Sequence, residues 1–129
     1  MLNDPLANMF SKIKNYEKIA RKKVEIEKVS NTIKKILDIL KDNGYVGEWK
    51  QTISERGGVI ELNLLGTIND CGVVKPRHAV QINNYEKFEK RFLPAKDFGI
   101  LIISTNKGIM THIQAKENKL GGRLIAYCY

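Results

Sequence analysis

Apolar residues in the first part of the chain recur with a period that changes from helical to extended. From residue 5 onward they return every three or four positions, which is typical of a helix with one face in a core. Asp4 and Pro5 are favourable residues for the start of that helix. Its apolar positions are Leu6, Met9, Phe10, Ile13 and Ala20, with Tyr16 and Ile19 at the margins. Alternation at Val24 and Ile26, extending to Lys28, then predicts a short strand.

A second helix and a hairpin follow. Ser30 is placed to cap a helix whose apolar residues are spaced i, i+3, i+4, i+7, and Gly44 follows its end. Its apolar residues are Ile33, Ile36, Leu37 and Leu40. Residues 45–65 predict two strand arms joined by a turn at 54–58, because the return arm alternates at residues 59–64. The first half therefore has the predicted order α-β-α-β-β.

A solid apolar run at residues 100–103 passes directly into small polar residues. Such a run, bounded by turn signals, predicts a strand buried on both faces. The following Asn106-Lys107-Gly108 is turn chemistry, with the glycine able to adopt positive φ. The pattern therefore predicts a rigid hairpin that presents hydroxyl, amide and ammonium groups at its tip.

The rest of the second half is predicted to contain both short helices and strands. Residues 85–92 have helical spacing, residues 111–117 predict a capped helix of one or two turns, and Gly121-Gly122 begins a final strand. Pro76 indicates a strand edge or end nearby. We predict an α+β fold of two small domains, an N-terminal α-β-α-β-β domain at 1–66 and a C-terminal domain at 67–129 that is mostly β with short helices.

Charge narrows the class of partner. The 129 residues carry a formal net charge of +8, which favours a polyanion, nucleic acid above a membrane surface. The basic residues are spread along the chain and form no separate tail, so folding must assemble any basic surface. Two cysteines outside any CxxC pair, without a secretory leader, indicate reduced thiols in a cytoplasmic protein, and no apolar run is long enough to span a membrane.

Motifs for common catalytic and cofactor sites are absent from the sequence. No phosphate loop, dinucleotide fingerprint, zincin or hydrolase motif occurs, so we expect no cofactor and no enzymatic activity. The spacing of a possible metal set (Cys71, His78, His112 and Cys128) fits no zinc finger or ribbon, so we expect no metal. A catalytic Cys–His pair stays open as an alternative, although His112 better fits a residue that caps or lines a short helix.

Three stretches of the second half carry chemistry suited to nucleic acid. Hydroxyls and amides can read base edges and ribose, while lysine and arginine contact phosphate. The stretches are the hairpin Ser104-Thr105-Asn106-Lys107-Gly108, the turn Gly121-Gly122-Arg123, and Lys75 and Arg77 with Tyr85 nearby, which could stack on an unpaired base. An ordinary hairpin and a glycine-rich turn remain the alternative. Likewise, the basic side of the first helix is either a phosphate-contacting face or a solvated one.

Several sequence blocks resemble the family of small-subunit ribosomal protein eight. They are DPLANMFSKIKN at 4–15, STNKGIMT at 104–111 and GGRLIAY at 121–127. The blocks CGVVKPRHAV at 71–80 and RFLPAKDFGILI at 91–102 are similar to the archaeal and eukaryotic branch of that family. The resemblance implies two small α+β domains and a C-terminal domain that binds the central domain of small-subunit ribosomal RNA during assembly.

The resemblance also implies particular contacts. Its hairpin motif falls on Ser104, Thr105, Gly108, Ile109, Met110 and Thr111, its glycine pair on Gly121 and Gly122, and a second, weaker RNA surface on Lys12, Lys14 and Asn15. It does not extend to Asn106, Lys107 or Arg123, which we include for their chemistry alone. Neighbouring ribosomal proteins are expected partners, with a monomer outside the ribosome. The alternatives are a small basic nucleic-acid-binding regulator and a small Cys/His enzyme.

Overall fold

A computed structural model describes residues 5–27, 30–54, 57–75, 78–95 and 98–129. Some residues used in the sequence interpretation lie outside these ranges: Asp4, Lys28, Glu55 and Arg56 of the predicted turn, Pro76, Arg77, Lys96 and Asp97. The chain divides into two compact units, Met1–Asn69 and Asp70–Tyr129. That residues 1–66 and 67–129 act as separate domains stays a prediction.

The N-terminal unit has the predicted order α-β-α-β-β. Its elements are α1 (Pro5–Lys18), β1 (Lys23–Ile26), α2 (Asn31–Asp42), β2 (Val46–Ser54) and β3 (Gly57–Leu64). The three strands form an antiparallel sheet in the order β1-β3-β2. The Ser30 hydroxyl accepts a hydrogen bond from the Ile33 amide at 3.3 Å, which confirms the predicted cap of α2. Gly44, just beyond that helix, has the positive φ of +77° expected at its end.

The first helix ends earlier than its apolar pattern indicates. Ala20 was expected on the buried stripe, but it lies beyond α1, is exposed and has a φ of +57°. The Ala20 amide donates to the Glu17 carbonyl at 3.1 Å, and the Arg21 amide to the Tyr16 carbonyl at 3.0 Å. These bonds terminate the helix in a tight turn, so the last apolar residues of the pattern face solvent, with Ile19 61% exposed.

The C-terminal unit is built around one mixed-length antiparallel sheet. Its elements are β4 (Cys71–Val73), β5 (Ala79–Val80), α3 (Tyr85–Phe92), β6 (Ile100–Thr105), β7 (Gly108–Thr111), α4 (His112–Glu117) and β8 (Gly122–Cys128). The strand order is β4-β8-β6-β7, and β5 also pairs with β8. Helices and antiparallel sheets together confirm the α+β class.

Strand β6 is the centre of this unit. All four residues from Ile100 to Ile103 are at most 3% exposed, which confirms a strand buried on both faces. Leu101 and Ile103 pack with side chains of both helices in a hydrophobic cluster. The strand is therefore held on both sides, and the polar residues that follow it extend from a fixed base. Among the described residues, no helix is long and apolar enough to cross a membrane.

Candidate nucleic-acid interface

The sheet register brings two of the three predicted polar stretches together, the hairpin and the turn at Gly121-Gly122-Arg123. Ser104 on β6 lies opposite Ile109 on β7 and Arg123 on β8, and Arg123 in turn lies opposite Ala79 on β5. Directly opposed residues of antiparallel strands project from the same face of the sheet. The hairpin and the glycine turn, which are far apart in sequence, therefore meet beside β5 at one end of one sheet. We call this region the hairpin end (residues 78–79, 104–109 and 121–123).

The hairpin end presents polar and cationic groups to solvent. The side chains of Ser104, Asn106, Lys107 and Arg123 are all exposed. The serine hydroxyl and the asparagine amide both donate and accept hydrogen bonds, whereas lysine and arginine only donate. A rigid backbone with this mixture of groups suits a partner that offers phosphates together with base or ribose hydrogen-bonding groups.

The hydroxyl of Thr105 is used within the hairpin itself. It donates to the Gly108 carbonyl at 2.8 Å and accepts from the Lys107 amide at 3.2 Å. Gly108 has a φ of +115°, which confirms the expected positive value. Thr105 therefore shapes the turn, while the neighbouring Ser104 hydroxyl is the one that faces outward.

The glycine pair accommodates this chain's own strands. A Cβ atom added at Gly122 would overlap the Ser104 carbonyl oxygen, and one at Gly121 would lie 2.8 Å from the Val80 carbonyl oxygen. The sequence predicts the close approach of another backbone at this point. The structure identifies that backbone as strands β5 and β6, so both glycines are required for the sheet to close at its hairpin end.

Two residues of the hairpin motif serve the fold with their side chains. Thr111 is 5% exposed and caps α4: its hydroxyl accepts from the Gln114 amide at 3.2 Å, and the Gln114 side chain accepts from the Thr111 amide at 3.3 Å. Met110 is half-buried against the hydrophobic cluster. The threonine hydroxyl is therefore not presented to a partner, contrary to its place in the predicted site.

Tyr85 lies in the core, so its predicted role in stacking on a base is wrong. It is 1% exposed, and its hydroxyl donates to the Leu120 carbonyl oxygen at 2.5 Å. Desolvation of the buried ring raises the pKa of Tyr85 above its ordinary value of 10.0. Leu120 directly precedes the glycine pair, so this tyrosine positions the loop that leads into the hairpin end.

A buried polar cluster ties α3, β6 and α4 together, and the sequence pattern does not reveal it. His112, 1% exposed, accepts the Leu101 amide on Nδ1 at 3.1 Å, and its Nε2 lies 3.4 Å from a Glu89 carboxylate oxygen. Lys116 forms an ion pair with the same carboxylate. With Nδ1 accepting, a neutral imidazole carries its proton on Nε2, toward the carboxylate. As predicted, His112 lines the start of a short helix.

The segment before β5 is described only in part. Lys75 is exposed, whereas Arg77 lies outside the described residues. His78 is half-buried, with its ring 5.6 Å from that of Phe88, and its carbonyl accepts the Leu124 amide at 2.9 Å. The backbone at His78 is thereby attached to β8 beside Arg123.

The N-terminal unit carries a second basic surface on its first helix. Lys12 and Lys14 are half-buried, and Asn15 is exposed. The Lys12 ammonium lies 6.0 Å and the Arg21 guanidinium 5.4 Å from the centre of the Tyr16 ring, within range for cation–π attraction. We call these five residues the α1 face.

Acidic groups lie beside the α1 face. Glu25 and Glu61 line the same shallow depression as Lys12, Tyr16 and Arg21, together with Lys23. Lys23 and Glu61 are within ion-pair distance at 3.3 Å. Carboxylates therefore lie close to the cations of the α1 face, and one of them pairs with the neighbouring Lys23.

The cysteines and His112 of the alternative Cys/His enzyme are buried in the described part of the chain. Cys71 and Cys128 are both buried and are not joined in a disulfide. His112 is held by a backbone amide and a carboxylate. Among the described residues, no group of three or more His, Cys, Asp or Glu side chains is arranged to hold a metal ion.

Comparison with known protein families identifies a family of RNA-binding proteins. The family model described as Ribosomal protein S8 matches residues 4–129, nearly the whole chain. Members of that family are structural RNA-binding proteins, which fits a basic chain whose polar groups converge on one rigid edge of a sheet. The chain belongs to the ribosomal protein S8 family: it is a ribosomal protein that binds ribosomal RNA.

Proposed function

We propose that this protein binds the central domain of small-subunit ribosomal RNA through the hairpin end, and that it thereby supports folding of the RNA and assembly of the subunit. The supporting observation is the register that aligns Ser104, Arg123 and Ala79 on one face. Such a surface is fixed before binding, so the protein spends little conformational entropy when a structured RNA docks against it.

The two kinds of group at the hairpin end have different tasks in this proposal. The Ser104 hydroxyl and the Asn106 amide contact base edges and ribose hydroxyls, which distinguish a folded RNA from a DNA duplex. Lys107 and Arg123 contact phosphates, which adds affinity that falls as salt rises. Gly108, Gly121 and Gly122 act through the backbone shape that they allow.

The α1 face adds a weaker RNA contact in the same proposal. Lys12, Lys14 and Asn15 lie on one helix, where the lysines can contact phosphates and the asparagine amide can bond a ribose or phosphate oxygen. Neighbouring small-subunit proteins are further partners in the assembled particle. Outside the ribosome we propose a cytoplasmic monomer without catalytic activity.

A competition experiment with matched arginine variants tests the hairpin end. The full chain is titrated with a structured central-domain RNA fragment, and a 5′-domain fragment and duplex DNA serve as competitors. Arg123→Ala is expected to weaken binding to the central-domain fragment about tenfold, since a charge-assisted bond to phosphate is lost. Arg91→Ala removes an exposed arginine from α3 of the same unit and is expected to change the affinity less than twofold.

Two results would contradict the proposal. One is displacement of the RNA fragment by an equal concentration of duplex DNA, which would favour a general basic nucleic-acid-binding regulator. The other is an equal loss of affinity in the Arg123→Ala and Arg91→Ala variants, which would mean that overall charge alone determines binding.

A further inference from the structure

The two cysteines of the chain are cross-strand neighbours. Cys71 begins β4 and Cys128 ends β8, and the antiparallel register places them directly opposite each other. Opposed residues of an antiparallel pair project from the same face of the sheet. The sequence separates these residues by almost the whole C-terminal unit, so their pairing is visible only in the fold.

The hydrogen-bond pattern defines which kind of opposed pair they form. Asp70 and Tyr129 exchange two backbone hydrogen bonds, at 3.0 and 2.9 Å, and the Val74 amide donates to the Ile125 carbonyl at 2.8 Å. Hydrogen-bonded and non-hydrogen-bonded pairs alternate along an antiparallel ladder, so Cys71 and Cys128 form a non-hydrogen-bonded pair.

In a non-hydrogen-bonded pair the two Cα atoms are about 4.5 Å apart, closer than in a hydrogen-bonded pair, and the side chains approach each other. A disulfide requires a Cα separation of roughly 4.4–6.8 Å, so this position can accept one with little movement of the backbone. The two thiols are reduced in the structure.

Access to the pair depends on β4. Cys71 is 3% exposed and Cys128 is fully buried, so neither thiol meets a solvent oxidant while the sheet is closed. However, β4 has three residues, and within the described ranges it lies at the edge of its sheet and pairs with β8 alone. A short edge strand opens at a lower free energy than the core of a domain, and its opening exposes Cys71 first.

We propose that Cys71 and Cys128 are a disulfide-forming site that reversibly fastens the first strand of the C-terminal unit to its last. The oxidant is a low-molecular-weight disulfide of the glutathione type. The Cys71 thiolate attacks it, forms a mixed disulfide and releases one small thiol. The Cys128 thiolate then displaces the second small thiol. One protein S–S bond forms, the oxidant's S–S bond breaks, and the two released thiolates take up the two protons.

The cross-link encloses nearly all of the C-terminal unit, from residue 71 to residue 128. A loop of this length strongly restricts the unfolded chain, so the oxidised unit is expected to be more stable than the reduced one. The site thus makes the stability of the unit that carries the hairpin end depend on the thiol–disulfide balance around the protein. Formation of this disulfide does not require that the hairpin end bind RNA.

Oxidation of the native full chain by glutathione disulfide tests the proposal. We expect an intact mass lower by two hydrogens, a monomer on a non-reducing gel, and one cross-linked peptide pair containing both cysteines. The midpoint of thermal unfolding is expected to rise by about 10 °C or more, and to return to its starting value on addition of a reductant. The single variants Cys71→Ser and Cys128→Ala are controls, in which the oxidant should not raise the midpoint.

Other products would overturn the proposal. A disulfide-linked dimer, or a native chain that stops at a glutathione adduct, would show that the second thiol cannot reach the first. A cross-link that forms only in urea would show the same. An intramolecular disulfide that lowers the unfolding midpoint would contradict the spacing inferred from the ladder.

Discussion

The hairpin end and the α1 face are both basic surfaces, but they are built in opposite ways. At the hairpin end, backbone register fixes the positions of two of the groups, because Arg123 and Ser104 are strand residues that lie opposite each other. On the α1 face, cations on long side chains gather around Tyr16, and carboxylates lie beside them. The first surface is organised by the sheet, and the second by long side chains around one aromatic ring.

We expect the two surfaces to contribute differently to the proposed RNA binding. The Ser104 hydroxyl is on a short side chain of a fixed strand, so it can reach few positions and is suited to distinguish one RNA shape from another. Lysines on flexible stems accept many phosphate positions, so they add affinity that depends on salt and little on sequence. We therefore expect variants of the hairpin end to alter specificity and variants of the α1 face to alter the salt dependence.

The largest effect is expected from a substitution that prevents the sheet from closing at its hairpin end. Gly122→Ala places a methyl group against the Ser104 carbonyl, and overpacking against backbone is expected to cost about 3 kcal/mol of unfolding free energy. Specific RNA binding should fall with it, while weak, salt-sensitive binding through the α1 face persists. Urea unfolding and RNA titration at two salt concentrations measure both effects.

Gly72→Ala is the matched control for that substitution. Gly72 also lies on a strand paired with β8, but its added methyl meets the Tyr127 side chain at 3.1 Å rather than backbone. A cost of about 1 kcal/mol or less is expected, because a side chain yields more easily. Equal costs for the two variants would show that the close approach at Gly122 is not special.

The two hydroxyls of the hairpin should separate recognition from structure. Ser104→Ala is expected to weaken RNA binding by about 1 kcal/mol with an unchanged unfolding midpoint, because its hydroxyl faces solvent. Thr105→Ala should also reduce stability, by about 1 kcal/mol, because it removes the two hydrogen bonds that the Thr105 hydroxyl makes in the turn. Thermal unfolding and RNA titration of each single variant test this. A destabilised Ser104→Ala protein would assign that hydroxyl to the fold as well.

The α1 face should be visible in the salt dependence of binding. Lys12→Ala combined with Lys14→Ala is expected to lower the slope of log Kobs against log salt by up to about 2, if each lysine contacts one phosphate. The double variant Lys34→Ala with Lys35→Ala removes the same charge from α2 of the same unit and should leave the slope unchanged. Equal slopes in the wild type and in the Lys12/Lys14 variant would mean that the α1 face is only solvated.

The sequence pattern predicts most of the local structure and little of the tertiary role of its polar groups. The apolar run before Ser104 indicates a buried strand because four consecutive apolar residues are a local signal. This signal can be interpreted without knowing which other elements pack against the strand. Burial of Tyr85 is different, since a tyrosine at helical spacing has the same pattern whether its hydroxyl meets water or the Leu120 carbonyl. The predicted burial of Ala20 is wrong for a related reason: no glycine marks the end of α1, so the apolar pattern continues beyond the helix.

In the candidate site, too, the sequence predicts local features but not the contacts between distant segments. Gly122 signals a close backbone approach from its residue type alone, but only the strand order shows that the partner is β6. The Glu89–His112–Lys116 cluster has no spacing that a single sequence reveals, because it joins two helices and a strand. The same holds for the opposed cysteines, whose pairing follows from register.

Tyr85 offers the finest test of how the hairpin end is held. Tyr85→Phe leaves the Leu120 carbonyl without its donor and is expected to cost about 1 kcal/mol at neutral pH, with the salt slope of RNA binding unchanged. Burial raises the pKa of this tyrosine, so above pH 10.0 the unfolded chain loses its proton before the folded chain does. The wild type therefore loses stability there that the variant does not, and the gap between them should narrow. Urea unfolding of both proteins at about pH 8 and about pH 11 measures it, and a constant gap would mean that the ring is hydrated in solution.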